Sequence, residues 1–342
     1  MWPARIGAIS AGALSLLAIV VSAAAVGHGT IGRQIHVGVA PSVVTFSKDS
    51  RFAYVVDSNL SAHTSGRGSL VIVSVKRKKV IRKIRVQQNP EGIARSRDGT
   101  KIFVANYGSD TVSVISQKRL RVVRTIHVGR APGTLLDMMI NGREFLVVAN
   151  SGHVEPARGS LFFIRLADFK LVRAVRFRFN PIDLAPGPKD RVVYVADGNA
   201  PRVLVVSTRT MRVSRHFSIR DPLGFMNALG VSRTRKLLYA VGGASTSVVS
   251  TKTRRTLARF REDPPGNPIR VGIGPRGLAL VLNGENQNPE PGSLTVLRRT
   301  RKVRVVKALG VFPIDVKVSP NGRTTWVTNN LAGSVSVFAT PH

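Results

Sequence analysis

The chain has 342 residues and carries 52 Lys and Arg against 18 Asp and Glu, a formal net charge of +34, with no cysteine. The missing thiol excludes disulfides, cysteine nucleophiles, zinc–thiolate sites and iron–sulfur clusters. A charge of this size bears on partners and solubility rather than fold, and it points towards anionic partners.

In chain order, Arg5 precedes an uncharged stretch from Ile6 to Val26 that contains Ala23-Ala24-Ala25. This pattern predicts a signal peptide over residues 1–25 and an exported protein, secreted or associated with the cell envelope. An uncleaved anchor is the alternative, because the stretch is long enough to cross a bilayer. A repeat fills the remainder, residues 31–342. Its beat is a proline at positions 41, 90, 132, 181, 222, 268 and 313, spaced 41–49 residues apart. Behind each proline comes an apolar run, then a turn that is often Asp-Gly or Asn-Gly (98–99, 141–142, 321–322), a strong hairpin signal. A Val- and aromatic-rich strand follows, such as "KIFVAN" or "TTWVTN", then one alternating Val with Ser, such as "TVSVIS", then a basic turn and a fourth strand. Seven units of four antiparallel strands predict an all-β fold, a single seven-bladed β-propeller. A β-sandwich would not need so regular a repeat.

The unit "PEGIARSRDGTKIFVANYGSDTVSVISQKRLRVVRTIHVG" and the stretch "WVTNN" at 326–330 resemble the repeat of the YVTN-type β-propeller family, which includes YncE-like proteins. The resemblance is strongest in units 2 and 7 and weakest in unit 5, where "YAVGG" lacks the Asn. It implies an exported propeller and no single shared reaction. Unit 7 stops after three strands. Its missing strand is found near the N-terminus, where "RQIHVGVAP" (33–41) matches "RTIHVGRAP" (124–132) at seven of nine positions. The last blade is therefore expected to be closed by an N-terminal strand, with Ile35–Gly38 pairing with Ser334–Phe338.

Strand order assigns the loops to two faces. The loops between strands 2 and 3, and those between blades, share one face, here the top. Three long top loops (57–68, 150–159, 283–292) carry His63, His153, Glu155, Glu285 and Glu290. Variable loops on a rigid scaffold commonly carry binding sites, so His153, Glu155 and Glu285 are candidate ligand-binding residues. Asp57, Asn106, Asn150, Asp197, Gly242, Asn283 and Asn329 end the second strands. Such residues often bond neighbouring backbone, with Asn106 and Asp197 as the candidates for a ligand role. Glu91, Asp183, Arg270 and Asp315 fall at the top of the innermost strands. Carboxylates there would suit acid–base chemistry or the oxygen ligands of a divalent cation. Equally, they could be solvated or paired with Arg270. Glu91, Asp183 and Asp315 are the catalytic candidates, and no cofactor or protein-bound metal is predicted beyond that cation.

The six hairpins between strands 3 and 4 contain 30 of the 52 basic residues and one acid, Asp168. Basic residues on edge strands oppose aggregation, but 30 exceed that need. They predict non-specific contact with a polyanion through Lys76, Arg77, Lys78, Lys79, Arg298, Arg299, Arg301 and Lys302. The expected partners are an anionic envelope polymer, a lipid surface or a protein, with non-specific nucleic-acid binding also open, and the protein is expected to be a monomer. No nucleophile elbow, His-Glu-x-x-His, P-loop or dinucleotide fingerprint occurs. The reading is an exported binding or scaffold propeller with its specific site on the top loops. The alternative is a lactonase-like or other hydrolase working with the channel-mouth carboxylates.

Overall fold

Ser47, Ser96 and Ser319 each start a turn and bond both ways within it: the Ser hydroxyl meets Asp49, Asp98 or Asn321 and also accepts the backbone N–H of Phe52, Lys101 or Thr324. Gly99 and Gly322 sit at φ +82° and +74° in two of these turns, conformations that cost a Cβ-bearing residue about 1–2 kcal/mol. Each turn folds an innermost strand back onto the second strand of its blade. The computed structural model describes residues 32–341 apart from 62–63, 153–157, 220–223, 262–266, 285–291 and 308. The expected signal peptide lies outside these residues, as do His63, His153, Glu155, Glu285 and Glu290.

Seven four-stranded antiparallel sheets form, six of them in sequential order and the seventh taking its outer strand from the N-terminus. The innermost strands are Pro41–Phe46, Pro90–Arg95, Pro132–Ile140, Pro181–Pro186, Ala228–Val231, Asn267–Ile273 and Pro313–Val318. The fold is the expected seven-bladed propeller. Blade 5 has the shortest innermost strand, in keeping with its weak repeat.

The last blade contains Pro313–Val318, Thr324–Asn329, Ser334–Ala339 and the N-terminal strand Arg33–His36. The expected latch is present, two residues earlier than its predicted start: Arg33 opposes Val337 and His36 opposes Ser334. Val37 and Gly38 leave the ladder and both donate to the Gly333 carbonyl, at 2.9 and 3.2 Å. A polar cluster adds to the closure. Asn329 Nδ2 donates to Ser336 Oγ at 2.9 Å and Gln34 Oε1 at 3.2 Å, and Gln34 Nε2 donates to Ser336 Oγ at 2.7 Å.

The core is divided among the seven blade interfaces. At the seam between blades 7 and 1, Ile35 and Val37 pack with Val44, Phe46, Val55, Val71, Val335, Val337 and Trp326. Trp326 is fully buried and meets Phe46 edge-on at 5.7 Å.

Two periodic irregularities interrupt the ladders. The outermost strands of blades 1–6 each carry a β-bulge at the same place, which leaves Ile81, Val123, Val172, Ser214, Leu257 and Val303 unopposed. The five aliphatic ones are 42–53% exposed. A bulge twists an edge away from pairing, so edge protection here rests on geometry as well as charge. The second irregularity follows the proline of the innermost strand in every blade except the fifth and leaves Ser42, Glu91, Gly133, Ile182, Ile269 and Ile314 unopposed.

Candidate functional site

Among these six inner-strand bulge residues, Glu91 alone is ionisable. Bulges re-aim a side chain and recur beside active sites. Asn89 Nδ2 donates to Glu91 Oε1 at 3.3 Å. Burial pushes the Glu91 carboxyl up to about 8, against the opposing pull of the Arg270 charge and the Asn89 hydrogen bond. Burial therefore favours its protonated form at neutral pH. Asn89 Oδ1 and Asn180 Oδ1 are buried acceptors without a hydrogen-bond partner among the described residues.

Asp183 and Asp315 occupy the next position in blades 4 and 7, and their contacts match. Asp183 Oδ2 accepts the Leu229 N–H of blade 5 at 2.9 Å; Asp315 Oδ2 accepts the Val44 N–H of blade 1 at 3.0 Å. Each aspartate thus ties its innermost strand to the next. Their exposure separates them. Asp315 is 3% exposed, whereas Asp183 keeps part of its surface open. Asp183 Oδ1 also accepts the Leu184 N–H at 2.9 Å. Burial raises its carboxyl, with Arg270, these backbone donors and Lys317 pulling the other way.

Arg270, at the same position in blade 6, acts electrostatically on both Glu91 and Asp183. Its Nη1 donates to the Asn227 carbonyl at 3.3 Å, and Asn227 Nδ2 donates to the Pro268 carbonyl at 2.9 Å. Glu91, Asp183 and Arg270 stand on blades 2, 4 and 6, alternate positions around the channel, and form its charged top.

The far mouth is crossed by ion pairs. Arg97 of blade 2 and Arg235 of blade 5 both bond Asp190 of blade 4, while Arg233 donates to the Pro320 carbonyl at 3.2 Å. Beneath them, Asp137 is pushed up to about 8 by burial and by Glu144. The sequence alone did not single out these groups, because their partners lie 45–93 positions away.

The residues closing the second strands make local contacts. Asn106 is fully buried: it donates to Thr111 and Ser113 hydroxyls at 3.0 Å and accepts the Gln87 N–H at 3.2 Å. Asp197, also buried, accepts from Asn199 N–H at 2.9 Å and from the Arg202 guanidinium. Asp57 Oδ1 accepts the N–H groups of Val39 and Ala40 at 3.1 and 2.9 Å. Space for these side chains comes from glycines in the preceding inter-blade connector. A Cβ on Gly38 would lie 1.8 Å from Asp57 Oδ2, one on Gly129 2.7 Å from Asn150 Cγ, and one on Gly310 2.3 Å from Asn329 Cγ. Gly310→Ala is expected to lose about 1–3 kcal/mol of stability, the usual cost of overpacking, readable as a lower midpoint in denaturant. An unchanged midpoint would mean that the Asn329 side chain gives way freely.

Among the described residues, no three His, Asp or Glu side chains gather in a metal-ligand set. The basic hairpins are exposed at Lys76, Arg77, Lys79, Arg298, Arg299 and Arg301, with Lys78 and Lys302 half-buried.

A family model described as "Lactonase, 7-bladed beta-propeller" matches residues 24–130, the latch through blade 2, including Glu91. The resemblance to YVTN-type, YncE-like repeats is corrected by this match: over residues 24–130 the family model that matches is the lactonase one. The motifs behind that resemblance are blade-building parts, such as the buried Trp326 and the strand-closing Asn329, and propellers of different families need such parts alike. No curated protein matches the chain. Among solved structures, the chain is similar to Kuenenia stuttgartiensis hydrazine synthase (TM-score 0.75, 19% identity, 89% of this chain and 96% of that one). It is also similar to the β-propeller domain of Myceliophteria thermophila Cps50 (Swd1) (TM-score 0.71, 12% identity, 91% and 99%). These likenesses concern the fold.

Proposed function

We propose that the protein is a hydrolase of the lactonase type that opens a small cyclic ester at the top of the central channel. The observation that carries this reading is the set Glu91, Asp183 and Arg270, in which one carboxyl is held protonated at neutral pH beside a cation that also acts on the second carboxyl. The lactonase match over residues 24–130 supports it. The Arg270 guanidinium would stabilise the oxyanion formed when water adds to the ester carbonyl. Asp183, with one N–H on each oxygen, keeps lone pairs with which to take the water's proton. Glu91 would give its proton to the departing ring oxygen. Substrate hydroxyls would satisfy the buried acceptors Asn89 Oδ1 and Asn180 Oδ1. The experiment is a hydrolysis assay of the purified protein against a panel of small lactones. Turnover that is lost in Arg270→Met supports the reading, and absence of turnover across the panel refutes it.

A second reading concerns the rim and is carried by the exposed hairpins, where the one acid, Asp168, is already paired with Arg165. We propose that this surface holds the protein on an anionic polymer or lipid surface of the cell envelope, through contacts that weaken with salt. Retention on an anionic matrix should fall when Lys76–Lys79 are neutralised. Retention unchanged by that substitution would remove the rim from consideration.

A further inference from the structure

We infer that the cleft at the closing seam of the ring is a binding site for a phosphate-class oxyanion. It is separate from the channel and rests on neither reading above. The cleft has a volume of about 550 Å³ and lies on the top side between blades 7 and 1, within the range of small-molecule pockets. Four basic side chains line it: His36 from the latch, Arg67 from the third strand of blade 1, and Lys83 and Arg85 from its fourth. All four are exposed, and none is in an ion pair among the described residues. The one acid in the lining, Asp57, is 5% exposed, and its Oδ1 already accepts the Val39 and Ala40 N–H groups.

The repeat provides an internal control, because the third and fourth strands of blades 1–5 pair in matching register here. Lys83 and Arg85 oppose Val71 and Ser69. Their counterparts are Thr125 and His127 in blade 2, Ala174 and Arg176 in blade 3, and His216 and Ser218 in blade 4. Blade 5 does have two cations, Arg259 and Arg261, but the blade before it offers Ser218 where the latch offers His36. The interface of blades 2 and 3 comes nearest, with His127, Arg130, Arg158 and Arg176 at matching positions, but it has Ala174 where blade 1 has Lys83, so the paired Lys83 and Arg85 beside an imidazole are particular to the seam among the interfaces compared. Guanidinium forks and ammonium groups at close quarters suit a multiply charged oxyanion. A ligand that bridges His36 to blade 1 also fastens the latch, so binding should raise the melting temperature in a concentration-dependent way.

The test measures binding of sodium pyrophosphate and of inorganic polyphosphate by calorimetry and thermal melts at fixed ionic strength. Saturable pyrophosphate binding with a rising melting temperature, at least tenfold weaker in K83Q/R85Q and in R67Q yet retained in K189Q/R191Q on the far face, is the expected result and assigns a small phosphorylated ligand. Saturable binding of polyphosphate alone, lost in the same variants, assigns the end or segment of a phosphate polymer. Failure of both probes to saturate, or binding unchanged in K83Q/R85Q, overturns the site. Melts without ligand verify that the variants fold.

Discussion

Deleting residues 32–38 will unfold the ring or lower its melting temperature by tens of degrees, whereas removing 340–342 will shift it by a few degrees at most. The deletion exposes the Ser334–Ala339 edge and withdraws Ile35 and Val37, 6% and 0% exposed. Burial of those two side chains alone contributes roughly 3–6 kcal/mol, a large part of the 5–15 kcal/mol that holds a typical domain together. The Gln34–Ser336–Asn329 cluster is lost with them. Circular dichroism melts of the deletion variant and of Ile35→Ala, which should lose about 2–5 kcal/mol, provide the measurement. A deletion variant that melts within a few degrees of the parent would show that the other interfaces hold the ring without a latch.

Glu91→Gln should reduce lactone turnover by about 10²–10⁴-fold, the usual worth of a general acid, and should also change the pH profile. The parent needs Glu91 protonated, so its rate should fall above pH about 8; the variant should lack that fall. Stability follows the same carboxyl. An ordinary glutamate releases its proton near 4.5 in the unfolded chain, while the folded protein keeps it to about 8. The contribution of Glu91 to stability therefore declines as pH rises between those values and is level above them. Glu91→Gln should gain stability relative to the parent across that window, as denaturant midpoints at several pH values would show. Arg270→Met should lose about 10²–10³-fold in turnover, the scale for removing one oxyanion partner. Asp315→Asn should lower stability and leave the alkaline limb in place. An alkaline limb that survives Glu91→Gln would assign the proton elsewhere.

The blade frame was legible in the sequence because one proline-to-proline unit recurs seven times, and a strand missing at one end was matched by a spare at the other. The latch register was less so: Val37 and Gly38 continue the pattern of "IHVG" but turn aside to the Gly333 carbonyl, a residue 296 and 295 positions away. The channel residues were located together, but their differences were not visible. Asp183 and Asp315 stand in the same "PID" and tie adjacent blades, one of them across 271 positions. The bulge that sets Glu91 apart follows from strand pairing and leaves no mark in residue type. The seam cleft escaped for a similar reason: His36 matches His127 in sequence, and only the folded ring brings it beside Lys83 and Arg85.

The bulges on the six outer strands bear on crowding. A protein gathered on a charged polymer is present there at high local concentration, where neighbouring molecules meet rim to rim. Straight outer strands would then form continuous ladders from one molecule to the next and turn a reversible coat into an aggregate. With the strand broken at Ile81, Val123, Val172, Ser214, Leu257 and Val303, six of the seven outer edges would remain poor templates even where a polymer screened their charge. On the proposed anionic surface, such a layer would be dense and still come apart in salt.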